Sequence, residues 1–326
     1  MLKANLIVTC TNKKRVSVPD DLMLRNISGV GRIEERLDNW INSLEKIEVD
    51  TLPAQQLYSG DHWNVIIKDI VTFPHSFPIQ VWVASAGYGL VRLTAPLKPY
   101  AVTFTQGSSD SIYISGATVS ISKQQANQQW WKLLSKWKGP EPGQPRSIME
   151  IAQREPDQPL LVAASEDYLQ AIAHDLQGAL LYLNDSEDLS IVSFGTKKLA
   201  SLNKNLIPCD ARLQPILGGV RGSLNVRLLS KIIAESEKVP LKANALRQHY
   251  HQLTEQQAPI IVYDRAPISD EEIKTFIRTQ LKINRSQKHT PLLRILRREL
   301  NQACEQSRFK QLYQNVIKEY YAPELF

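Results

Sequence analysis

Four short segments carry side chains able to do chemistry, and each follows or adjoins an apolar run. The first is Thr9-Cys10-Thr11-Asn12-Lys13-Lys14, after the run Asn5–Thr9. A thiol among Lys13, Lys14 and Arg15 fits a nucleophile kept as thiolate, an anion seat, or both. The plain alternative makes Cys10 a small buried residue and leaves the lysines solvated. The second segment, Tyr58-Ser59-Gly60-Asp61-His62-Trp63, packs a hydroxyl, a carboxylate, an imidazole and an aromatic plane around a glycine. Loops of this kind read bases by stacking and hydrogen bonding, although His62 could equally be a helix cap or a core residue. In the third, Ser85-Ala86-Gly87-Tyr88-Gly89-Leu90, the glycines let a ligand approach the backbone, or simply make a turn. The fourth, Tyr100-Ala101-Val102-Thr103-Phe104 leading to Ser109-Asp110-Ser111, offers Asp110 as an acid or base, although loop carboxylates usually face water.

Those segments need a sheet to bring them together. In a parallel sheet, ligands bind outside the carboxyl ends of strands, where the Cys10 turn belongs. The pattern predicts a helix over 32–45, a strand over Ile79–Ala84 and a tryptophan-bearing helix over 125–138. Next comes Gly139-Pro140-Glu141-Pro142-Gly143-Gln144-Pro145, whose three prolines and two glycines forbid regular structure and mark 139–158 as a linker. Beyond it the pattern resumes, with strands at 159–164 and 189–194, a helix at 166–183 and a last strand at 260–263. The expected fold class is α/β, a parallel or mixed sheet covered by helices, in two parts spanning 1–138 and 159–264. Gly218-Gly219-Val220-Arg221-Gly222-Ser223 could offer backbone amides to a phosphate, but it lacks the spacings of the nucleotide-binding glycine motifs, so no cofactor is inferred.

The segment 265–326 changes character. Its 12 Lys/Arg against 7 Asp/Glu give +5 of the chain's formal charge of +6. Ser269 with Asp270-Glu271-Glu272 is a helix start, a second helix begins near Thr290-Pro291 with proline at its first position, and a third begins near Gln302. Three short helices joined by polar turns fit a helix-turn-helix or winged-helix-like module. Arg294 and Arg298 lie four apart on one helical face with Arg297 on their flank, and Arg308 and Lys310 follow. Such a stripe can meet a nucleic-acid backbone, or form a plain interaction helix.

Composition narrows the classes. Cys10, Cys209 and Cys304 are far apart and odd in number, which argues against a disulfide framework or a clustered-cysteine metal site and for a reducing, cytoplasmic setting. No apolar run approaches the roughly 20 residues that span a bilayer, and the N-terminal apolar run lacks a cleavage site.

The strand-end Cys-x-x-Lys-Lys turn, Leu57-Tyr58-Ser59-Gly60-Asp61-His62-Trp63, Val83-Ala84-Ser85-Ala86-Gly87-Tyr88-Gly89-Leu90-Val91 and the Tyr100-x-x-Thr103-Phe104 segment recur in this order in the YaaA-like proteins and the archaeosine synthase core domain. Residues 5–115 resemble that superfamily. The resemblance implies a DNA partner, 7-deazaguanine chemistry, and other proteins of a DNA-modification system. Cys10 and Lys13 carry over from the superfamily's turn, whereas Thr9 and Arg15 depart from it. The implied activity is hydration of the nitrile of 7-cyano-7-deazaguanine in DNA, as in bacterial systems that serve phage defence. That step needs neither redox chemistry nor nucleotide hydrolysis. Cys10 would attack the nitrile carbon, Lys13 or Lys14 would protonate the nitrogen, and Asp61, His62 or Asp110 would activate water. Thr11, Ser59, Gly60, Ser85 and Gly89 would line the substrate site, with Trp63 or Tyr88 stacking on the base. The rival expectation is a non-catalytic protein that binds modified or damaged DNA.

Overall fold

The computed structural model describes residues 3–29, 31–114, 121–194, 199–259 and 264–321. The chain divides into two compact units, 1–259 and 260–326. The strands of the first unit are β1 (Ala4–Thr9), β2 (Leu52–Pro53), β3 (Ile79–Ser85), β4 (Gly89–Arg92), β5 (Pro96–Leu97), β6 (Leu160–Ala163), β7 (Leu189–Val192) and β8 (Leu206–Ile207). Its helices are α1 (Ile33–Lys46), α2 (Ala54–Leu57), α3 (Asp61–Val65), α4 (Lys123–Leu134), α5 (Ile148–Arg154), α6 (Glu166–Leu180), α7 (Gln214–Leu217), α8 (Leu224–Ala234) and α9 (Ala243–Glu255). A π-helical turn, Ile66–Val71, continues α3.

Six strands form one sheet in the order β4-β3-β1-β6-β7-β8, parallel except for the antiparallel β3–β4 pair. Every residue of β1, β6 and β7 is buried, as in strands covered on both faces. Helices α1, α4, α5 and α6 pack together, while α8 lies on β6 and β7 and meets α3. Helix α1 shows why such elements form: Ile33, Leu37, Trp40 and Leu44 recur at helical spacing and are all buried.

The two expected α/β parts share this sheet. β1 pairs with β3 on one side, Thr9 opposite Ala84, and with β6 on the other, Val8 opposite Ala163. The segment 139–158, expected as a linker, is instead packed and carries α5. Arg146 within it is buried and donates hydrogen bonds to the carbonyls of Tyr88, Leu90 and Trp137. Proline and glycine keep 139–145 free of helix and strand without preventing packing. The strand expected at 260–263 lies outside the described residues.

In the second unit, α10 (Asp270–Ile283), α11 (His289–Arg298) and α12 (Gln306–Tyr321) enclose a core of their own around Ile273, Ile277, Leu292, Leu296 and Phe309. Ser269 and Glu272 form a reciprocal capping box that starts α10. The short strands β9 (Ala266–Pro267) and β10 (Gln302–Ala303) pair in parallel, so they are not a hairpin wing. Among the described residues, no helix is long and apolar enough to cross a membrane.

Candidate active site

From β1 the chain proceeds to β3 on one side of β1 and returns to β6 on the other, so the strand order reverses between β1 and β6. In open α/β sheets, ligands gather outside the carboxyl ends of the strands at such a point. Cys10 follows β1 there, its amide donating to the Ala84 carbonyl at 3.1 Å. Ser165 follows β6 and starts α6, whose third residue, Tyr168, places its hydroxyl 3.1 Å from Cys10 Sγ.

The turn after Cys10 is locked by one bond within itself and two to Ser59. Thr11 Oγ1 donates to the Lys13 and Ser59 carbonyls at 2.9 and 3.0 Å, and the Ser59 amide donates to the Lys13 carbonyl at 3.1 Å. Lys13 is left exposed while Lys14 folds inward. Lys14 Nζ donates to the Thr11 carbonyl at 2.6 Å and sits 4.5 and 5.1 Å above the Tyr100 and Tyr58 rings. Burial pushes the Lys14 pKa down, and nearby Cys10 and Asp110 pull it back up. The Tyr100 hydroxyl is 2.9 Å from that of Tyr58 and 2.6 Å from Ser85 Oγ. Burial also raises the hydroxyl pKa values of Tyr58, Tyr100 and Tyr168 well above the ordinary phenol, so these groups keep their protons.

Beside this cluster lies a pocket of about 310 Å³, lined by Asn12, Lys14, Met23, Arg25, Thr103, Ser108 and Asp110 among others. Cys10 is not among its lining residues. Asp110 belongs to the pocket but is not the free base expected. Its carboxylate accepts from Arg25 Nε at 3.0 Å, Nη2 at 2.7 Å and the Arg25 amide at 3.2 Å. Asp61 is also committed elsewhere: it accepts from Ser223 Oγ at 2.5 Å and Arg227 Nη2 at 2.8 Å, contacts that lower its pKa. His62 differs. Its Nε2 is buried and has no hydrogen-bond partner among the described residues. Burial moves its pKa from 6.5 to about 4, against the opposing pull of the Thr9 backbone and Asp61. A neutral imidazole with an open nitrogen therefore sits behind the Cys10 strand end.

The aromatic residues expected to stack on a base are core instead. Trp63 is fully buried, edge-on to Tyr58, with its indole N–H donated to the Gln55 carbonyl at 3.0 Å. Tyr88 is buried against Tyr100, and its oxygen accepts from the Lys98 amide at 3.0 Å. Gly89 is buried beneath Arg146 and Leu134, and Ser85 is buried on Tyr100, so neither lines the pocket. Gly60 has φ +102, which suits glycine, and turns the chain into α3 under the Lys13 stem.

Tyr168 and Arg25 were missed by reading the sequence alone, and Tyr100, although part of the fourth segment, was given no role there. Tyr168 left a usable signal: it is in the first turn of the helix that follows a parallel strand. Arg25 left none, because its partner is 85 positions away. Among the described residues, no group of three His, Cys, Asp or Glu could hold a metal ion. No family model, curated protein or solved structure matches the chain.

The C-terminal stripe divides by role. Arg294, Arg298 and Lys310 are exposed. Arg297 Nε and Nη2 donate to the Cys304 carbonyl at 2.9 and 2.6 Å. Arg308 pairs with Asp270 at 2.5 Å and donates to the Ile268 carbonyl at 2.9 Å, so its first duty is to hold the module together.

Proposed function

We propose that the chain is a DNA-modification enzyme that hydrates the nitrile of 7-cyano-7-deazaguanine in DNA to the amide. The observation that carries this reading is the Cys10 thiol at the reversal point of the sheet, flanked by the Tyr168 hydroxyl and the Lys14 ammonium beside a pocket. The Cys10 thiolate adds to the nitrile carbon, and Lys14 gives the nitrogen a proton, forming a thioimidate. Water then adds to the same carbon while His62 accepts its proton. His62 returns that proton to the nitrogen, and collapse of the adduct expels the thiolate while the hydroxyl proton passes to Lys14, leaving the amide and all three groups as they began, so the net change is one water gained.

On a duplex the base must leave the stack, which costs a few kcal/mol. Arg25, its guanidinium held flat by Asp110 and its side chain 45% exposed, supplies a planar face at the pocket. Lys14 lines the pocket and also feels the charge of Cys10, so one side chain links the pocket to the thiol. The order of the four motifs supports the same reading, since residues 5–115 resemble the YaaA-like and archaeosine synthase core domains.

A second reading draws on Cys10 lying outside the pocket lining: the pocket binds a modified or damaged base without reacting with it. One experiment separates the two. Protein is incubated with DNA containing the 7-cyano base, and the digested nucleosides are weighed by mass spectrometry. A gain of one water, lost in Cys10→Ala, supports hydration. An unchanged nitrile on DNA that the protein binds supports recognition alone.

A further inference from the structure

The second unit holds a pocket of about 300 Å³, lined by Arg265, Thr290, Arg294, Arg297, Arg298 and Gln306 with Leu293 beneath them. None of its lining residues is acidic. Thr290, Arg294 and Arg298 follow one another at intervals of four along α11, whose opposite face buries Leu292 and Leu296 in the core. Internal bonds fix the inner wall. Arg297 is held by the Cys304 carbonyl, and Arg265 Nε donates to the Arg297 carbonyl at 3.0 Å. The outer wall is Arg294 and Arg298, both exposed. Four arginines, a glutamine and a threonine lining one pocket suit a tetrahedral oxyanion with several acceptor oxygens.

We propose that this pocket seats one backbone phosphate of a nucleic acid. The module's charge favours a polyanion over a single acidic peptide group, since +5 of the chain's +6 lies within residues 265–326. The proposal rests on DNA as the partner and is independent of the chemistry at Cys10.

The test is binding of the full chain to a labelled, unmodified duplex across a salt series. Arg294→Gln and Arg298→Gln should each weaken binding about threefold to tenfold, equally on unrelated sequences. Together they should lower the slope of log affinity against log salt by about 1, the loss of one phosphate contact. Inorganic phosphate at constant ionic strength should compete with the duplex in the parent chain and lose that effect in the double variant. Both arginines are exposed, so thermal melting should be unchanged; Arg297 is left intact because it holds the module. An unchanged slope in the double variant overturns the pocket while leaving DNA binding standing. Absence of duplex binding by the parent chain overturns the DNA partner itself. Binding to phosphatidylserine vesicles without duplex binding would reassign the pocket to a lipid surface.

Discussion

Cys10 and Tyr168, 158 positions apart, meet thiol to hydroxyl at 3.1 Å across the point where the strand order reverses. Burial keeps the Tyr168 proton in place, so the hydroxyl can donate to a Cys10 thiolate at every physiological pH. A hydrogen bond to a charged group contributes about 1.5–3 kcal/mol. Tyr168→Phe should therefore slow single-turnover hydration roughly 10- to 100-fold while DNA affinity stays within about twofold. Equal rates in the two proteins would remove Tyr168 from the site.

Lys14 is a desolvated cation resting on two tyrosine rings. Lys14→Met keeps the length of the stem and removes the charge. Unfolding stability should change by less than about 1 kcal/mol, because the lost ring contact and the relieved desolvation oppose each other. Hydration should drop at least tenfold, as general-acid transfer contributes about 100-fold or more. A variant that turns over normally would show that the proton comes from elsewhere.

His62 gives the fold a pH dependence of known sign. Its folded pKa, about 4, lies below the ordinary 6.5, so between these values the unfolded chain binds more protons. Stability therefore rises with pH across that window and is lost as pH falls from 6.5 toward 4. At pH 5 the loss should be on the order of 1–2 kcal/mol relative to pH 7. Urea unfolding at both values, repeated with His62→Gln, should show the gap shrinking by that amount. An identical gap in both proteins would mean that the imidazole is already protonated or solvated in the fold.

Trp63 is core, so its removal should act on stability and not on base stacking. Trp63→Ala should cost about 3–5 kcal/mol. Trp63→Phe, which keeps most of the volume, should leave DNA affinity unchanged when measured on folded protein. Selective loss of affinity in the phenylalanine variant would restore a direct contact with the base.

The sequence announces what is local. The apolar run of β1, the Ser269 capping box and the tight turn after Cys10 all follow from neighbouring residue types. The place of the Cys10 turn at a strand end follows from the rule for parallel sheets, once β1 is recognised. What is not legible depends on partners far along the chain. Asp110 looks like a free carboxylate until Arg25 is placed beside it, and Asp61 until α8 brings Ser223 and Arg227. Trp63 looks like a stacking platform until α3 is seen to turn that face toward Tyr58. Likewise Arg297 and Arg308 belong to a basic stripe by spacing and to the internal bonding of their module by geometry.

The central place of β1 governs how this protein can be made and dissected. β1 (Ala4–Thr9) is made well before one of its two sheet neighbours, β6, which begins only at residue 160. Until then one row of its backbone donors and acceptors has no native partner, and a parallel pairing across such a span forms slowly. A nascent chain in that interval carries an open strand edge of the kind that templates aggregation. A fragment stopped at residue 138 would keep that edge permanently and should precipitate or self-pair, so the strand-end site is best studied only in chains that reach through β6.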